Sequence, residues 1–194
     1  INYLCLYTED TYEVEGHPLI GYQRGRYMKE EIRRLVKFAK EFGITMFPCI
    51  QTLGHVEQIL KFPIYDDIKD DDRIFSVKSK KTYKLLETIL KNVREPYETN
   101  LIHIGMDETW GLGRGKTFEI NKKIDPRMMY IKHMKKVNDI CKNLKLQPIM
   151  WGDIVIGMSG THAMTGSQTK TLPKNMIMNY WNYYMEKERP YEDT

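Results

Sequence analysis

Two carboxylates stand side by side at the end of an apolar run, His103-Ile104-Gly105-Met106-Asp107-Glu108. Adjacent carboxylates repel each other, and partial burial raises the pKa of one of them. A carboxyl held protonated near neutral pH can donate a proton to a leaving group. Asp107 and Glu108 are therefore read as an acid–base centre. On an extended strand His103, Gly105 and Asp107 share one face. Gly105 leaves room there for a ligand or a neighbouring backbone. An Asp-Glu pair on an arbitrary surface more often caps the next segment. The apolar strand and its glycine tip the balance toward chemistry.

The other apolar runs end in the same kinds of residue. The first is followed by Glu9-Asp10, and the second by Gln51 and His55. The fourth ends in Trp151 and Asp153, the fifth in Trp181, Asn182, Tyr183 and Tyr184. In parallel α/β proteins the C-terminal ends of the strands converge on the functional face. Carboxylates do acid–base work, and aromatic rings stack on the apolar faces of sugars. This set includes no paired thiol nucleophile and no phosphate loop. Gly111-Leu112-Gly113-Arg114-Gly115 lacks a Gly-Lys-Ser/Thr ending and reads as an active-site loop. Glu9-Asp10 with His55 is not a diagnostic metal spacing, so neither metal nor cofactor is expected. His103 reads as a satisfied core histidine.

The elements that must position these residues alternate. Asn2–Tyr7, Ile44–Ile50, Leu101–Met106, Gln147–Trp151 and Asn175–Trp181 read as strands. Helices are expected over Met28–Phe42, with Gly43 as C-cap, over Lys80–Val93, and over Pro126–Leu144. Val56–Leu60 reads as a short helix stopped by Pro63. Tyr65–Arg73 and residues 157–172 read as loops. Strands separated by amphipathic helices imply a parallel sheet covered by helices, either an α/β barrel or an open doubly wound sheet. A complete barrel has eight strands in ~250 residues. This chain shows five strands in 194 residues, and a barrel would be present as a fragment with two exposed edges.

Composition excludes several classes. With 41% hydrophobic and 29% charged residues the chain is globular. No apolar run reaches the ~18 residues of a membrane helix, and no signal peptide is evident. The net charge of +4 is spread along amphipathic segments, which disfavours a nucleic-acid partner. Cys5, Cys49 and Cys141 are too sparse for a disulfide framework. Cys5 and Cys49 are expected to be buried hydrophobes, and the compartment to be reducing and cytoplasmic.

His103 to Glu108 resembles the His-x-Gly-Gly-Asp-Glu signature of family 20 glycoside hydrolases, the β-N-acetylhexosaminidases, with Met106 in place of the second glycine. Pro48 to His55 is similar to that family's Pro-Glu-x-Asp-x-Pro-Gly-His segment, with Cys49 and Gln51 in place of its two acids. The Leu6–Tyr12, Gly21–Gly25, Ile50–Leu53 and Tyr180–Tyr184 stretches resemble the hexosaminidase D-like branch and its bacterial relatives. The resemblance runs nearly from end to end. It implies a (β/α)8 barrel, present over residues 1–194 as roughly its second to sixth strands. It also implies hydrolysis of terminal β-linked N-acetylhexosaminides with retention, the substrate's acetamido oxygen acting as nucleophile. Glu108 would then be the acid and base, and Asp107 would polarise the acetamido N–H. Trp151 and Trp181 would wall the acetamido pocket, and His55 would orient an acid or line that pocket. Tyr183, Asp153, Glu9 and Asp10 would contact substrate. The alternatives are a non-catalytic sugar-binding barrel and a metal-dependent hydrolase on a similar scaffold.

Overall fold

The computed structural model describes residues 1–120, 125–158 and 163–181. Its strands are β1 (Tyr3–Tyr7), β2 (Thr45–Cys49), β3 (Leu101–His103), β4 (Gln147–Trp151) and β5 (Ile177–Asn179). They form one parallel sheet in the order β1-β2-β3-β4-β5. Every pairing is parallel, so all strand C-termini lie at one end of the sheet. The main helices are α1 (Lys29–Glu41), α3 (Lys80–Arg94) and α5 (Pro126–Asn143). Shorter helices are α2 (Glu57–Leu60), α4 (Lys116–Ile120), α6 (Asp153–Ile156) and α7 (Gly166–Thr169).

Each long helix forms where apolar residues recur at helical spacing. In α3, Leu85, Leu86, Ile89, Leu90 and Val93 are buried along one stripe. In α5, Asp125 caps the N-terminus by accepting from the Arg127 and Met128 amides, and Pro126 fills the first turn. Alternation divides the strands between two faces. Met46, Ile102 and Met150 join the helices' apolar residues in one continuous core. Removing each such side chain from water contributes about 1.5–3 kcal/mol. The odd-numbered residues Phe47, Cys49, His103, Ile149 and Trp151 point the other way, and the first four are buried there.

Several expectations are corrected. β3 stops at His103, short of Met106, because Gly105 (φ +66°) and Met106 (φ +76°) leave the extended region. Pro63 begins a 3-10 turn, Pro63–Ile68, that runs into the stretch expected to be loop from Tyr65. Residues 157–172 contain α7, initiated by a Thr165–Gln168 capping box. Cys5 is exposed, because β1 is an edge strand; Cys49 and Cys141 are buried. The side chains of Tyr3, Leu4 and Tyr7 on β1 and Ile177 and Met178 on β5 are also exposed. Among the described residues no helix is long and apolar enough to cross a membrane.

Candidate active site

The acid pair sits in a strained turn just past β3. The Met106 carbonyl accepts the buried Tyr130 hydroxyl of α5 at 3.0 Å. The Trp151 amide of β4 donates to the Gly105 carbonyl at 3.1 Å. Glu108 has φ +49° and His55 φ +53°, so three of the five left-handed non-glycine residues among the described residues (His55, Met106 and Glu108) belong to this one neighbourhood. Such conformations cost about 1–3 kcal/mol each and persist only where packing over-determines them. A buried chain does so here. Thr52 Oγ1 donates to the Ile104 carbonyl at 2.7 Å, and His133 Nε2 meets the Thr52 carbonyl at 3.0 Å.

His55 Nε2 lies 3.5 Å from Asp107 Oδ2 and 3.5 Å from Glu108 Oε2. It does not cap α2, whose N-cap is Val56. On the other side, Gln51 Nε2 donates to Asp107 Oδ1 at 2.9 Å. Burial pushes the Asp107 carboxyl up, but the bonds from His55 and Gln51 outweigh it and hold Asp107 below its ordinary value. The Asp107 contact in turn raises the His55 imidazole. The repulsion expected to lift one of the adjacent acids thus does not lift Asp107.

The raised carboxyl is a third one. Asp153 is 1% exposed, and its Oδ2 accepts the main-chain N–H of Glu108 at 3.0 Å. Burial, first, and the charge on Asp107 push it up to about 6. Its Oδ1 has no hydrogen-bond partner among the described residues. Asp153 therefore sits buried behind Glu108 as a support, not in contact with substrate as the resemblance implied.

Gly105 is forced. A Cβ there would lie 2.0 Å from Gln51 Oε1, so its space is taken by Gln51 and not by a ligand. His103 is fully buried, and its Nδ1 accepts the Gly105 N–H at 3.1 Å with Cys49 Sγ at 3.4 Å. Its Nε2 is unpartnered among the described residues, so it is not the fully satisfied histidine expected. Burial lowers it to about 4 and keeps it neutral. Its ring packs 4.4 Å from that of Trp151, which is partly exposed at the end of β4. Trp181 is partly exposed just after β5; Asn182, Tyr183 and Tyr184 lie outside the described residues.

Glu9 and Asp10 are engaged with Arg24. Its Nε donates to Asp10 Oδ1 at 2.8 Å and its NH2 group to Glu9 Oε2 at 3.2 Å. Asp10 is 2% exposed, which removes it from direct contact with a ligand; Glu9 stays at the rim. The glycine loop after Trp110 is no phosphate nest. Asp70 accepts the Gly113 and Thr117 amides at 3.2 and 2.8 Å. No group of three His, Cys, Asp or Glu among the described residues is arranged to hold a metal ion.

Sequence reasoning did not assign roles to Tyr7, Arg24 and Asp70. Tyr7 had a visible signal, since it alternates with Cys5 at the C-terminal end of β1 and so shares the face of Cys49 and His103. Asp70 had none, because an acidic stretch reads as solvated.

A parallel sheet with helices over one face thus carries an acid pair at its C-terminal end, with Trp151 and Trp181 at the ends of the next two strands. Residues 7–191 match glycosyl hydrolase family 20, catalytic domain. The chain belongs to that family. It is 21% identical over 188 residues to hexosaminidase D of Bos taurus, covering 92% of this chain and 54% of that protein. It superposes on a β-N-acetylhexosaminidase from Bacteroides fragilis with TM-score 0.72 and 22% identity, covering 94% of this chain and 40% of that one. It superposes on an exo β-N-acetylglucosaminidase from Vibrio harveyi, solved with N-acetylglucosamine, with TM-score 0.75 and 17% identity, covering 94% and 33%. The chain thus spans about half the length of the bovine relative.

Proposed function

We propose that the whole protein is an exo-β-N-acetylhexosaminidase, that its catalytic domain is a (β/α)8 barrel, and that this chain supplies the barrel's acid–base side. The observation that carries this is the unequal treatment of two adjacent carboxylates. Asp107 is held ionised by Gln51 and His55. Glu108 has its backbone braced by Asp153 and its side chain partly exposed beside the same histidine.

The chemistry follows from those environments. The glycosidic oxygen takes the proton of Glu108 as its bond to C1 breaks. The substrate's acetamido oxygen attacks C1 from the opposite face, closing an oxazolinium ring. Asp107 accepts the acetamido N–H and offsets the positive charge on that ring. Water then adds to C1, giving its proton to Glu108, and the ring reopens with configuration retained. Neighbouring residues cannot easily flank one bond from both sides, as the two carboxylates of other retaining glycosidases do. They can serve leaving oxygen and acetamido group together. Trp151 and Trp181 at adjacent strand ends suit stacking against the sugar, and the substrate is a terminal β-linked GlcNAc or GalNAc.

Hydrolysis of 4-nitrophenyl N-acetyl-β-glucosaminide and its galacto epimer by the full-length protein tests this, with N-acetylglucosamine-thiazoline as inhibitor. Thiazoline-sensitive release is expected. Sugar binding without release would instead assign a carbohydrate-binding scaffold.

A further inference from the structure

Gln51 is 1% exposed, yet both ends of its amide are engaged. Oε1 accepts the Met106 N–H at 3.3 Å. Only a carbonyl oxygen can meet that donor, so the orientation of the amide is settled by its partner. Nε2 therefore faces the other way, donating to Asp107 Oδ1 at 2.9 Å and reaching the Tyr7 hydroxyl at 3.4 Å. The missing side chain at Gly105 makes this approach possible. His55 stands at the second oxygen of Asp107, 3.5 Å away.

We propose that Gln51 is a positioning residue whose amide clamps Asp107 in place and keeps it a charged acceptor for the substrate's acetamido N–H. The substrate role rests on the hexosaminidase function; the clamp is a property of the chain itself. Among the described residues, the titratable and charged groups around Asp107 are His55, Glu108, Tyr7, Cys49, His103, Tyr130 and Asp153. Two of these, Glu108 and Asp153, are also carboxyls; of the two histidines, burial keeps His103 neutral, which leaves His55 to bring a positive charge when protonated. A carboxylate at position 51 would add another negative charge at hydrogen-bond distance, and two carboxylates that close do not both ionise. The amide supplies a donor at that point without a charge.

The test uses the full-length protein with 13C-labelled aspartate. The Asp107 carboxyl resonance, assigned with Asp107→Asn, is titrated in wild type, Gln51→Glu and Gln51→Met. Wild-type Asp107 is expected to ionise below the ordinary carboxylate range. In Gln51→Glu the midpoint should rise by about one pH unit or more. In Gln51→Met it should rise less, because a donor is lost and no charge is gained. The acid limb of kcat/KM for 4-nitrophenyl N-acetyl-β-glucosaminide should move by the same interval, which a purely structural role of Gln51 would not produce. If Gln51→Glu does not fold, Gln51→Met carries the comparison in the same direction. An Asp107 midpoint that stays put in the folded variants overturns the clamp, even in an active enzyme. A midpoint that moves in a protein without hydrolytic activity leaves the clamp standing and removes the hexosaminidase function instead.

Discussion

Asp153 accepts the main-chain N–H of Glu108 at 3.0 Å from a position that is almost fully buried. The bond braces a left-handed residue, Glu108, whose side chain is the acid in the proposed reaction. Its cost is a carboxyl out of water, raised from 3.8 to about 6. The folded protein therefore binds more protons at this site than the unfolded chain does across that interval. Stability falls as pH rises through it.

Asp153→Asn keeps an acceptor for the Glu108 amide and cannot ionise. Relative to wild type, the variant should gain stability between pH 4 and pH 6.5, on the order of 2 kcal/mol in all. Urea denaturation at several pH values reads this directly. A stability difference that is flat with pH would mean that Asp153 does not carry the buried charge.

The two members of the acid pair should separate by substrate. Glu108→Gln should slow glycosides with poor leaving groups about 10²-fold or more, and activated aryl glycosides much less, since only the former need strong protonation. Asp107→Asn should slow both, by about 10²–10³-fold, as removal of a preorganised electrostatic partner does. Steady-state kinetics on a 4-nitrophenyl glycoside and on a disaccharide distinguish the patterns. Equal losses on both substrates in Glu108→Gln would remove it from the acid role.

Much of this arrangement was legible in the sequence because strands and helices differ in period. β4 ran over the expected residues, and the long helices differed by at most one residue at either end, where caps decide. What escaped was long-range. Whether Cys5 is buried depends on which strand lies at the sheet edge, and its apolar surroundings carry no such information. Gln51 meets Met106 and Asp107 across more than fifty residues of chain, so its type alone could not reveal the clamp. Asp153 follows a tryptophan at a strand end and so read as a substrate contact. Only the turn into α6, which buries it behind Glu108, reassigns it. The strained backbone of Met106 and Glu108 was equally hidden, since neither residue type favours φ > 0.

His55 joins the two acids, and its titration should be visible in stability. Asp107 raises its imidazole above the ordinary value, which is ~6.5. A group raised on folding contributes stability that is complete below its unfolded pKa and is lost as pH climbs through the folded one. His55→Gln should therefore destabilise the protein more at pH 5.5 than at pH 8.5, with the loss of difference beginning near 6.5. The direction matters, because a histidine merely packed at the turn would be lowered by burial and would give the opposite trend. Denaturant midpoints for wild type and His55→Gln at both pH values supply the comparison. A difference that grows toward alkaline pH would mean that the Asp107 contact does not dominate, and that His55 fills space in the turn instead of balancing charge beside the acid pair.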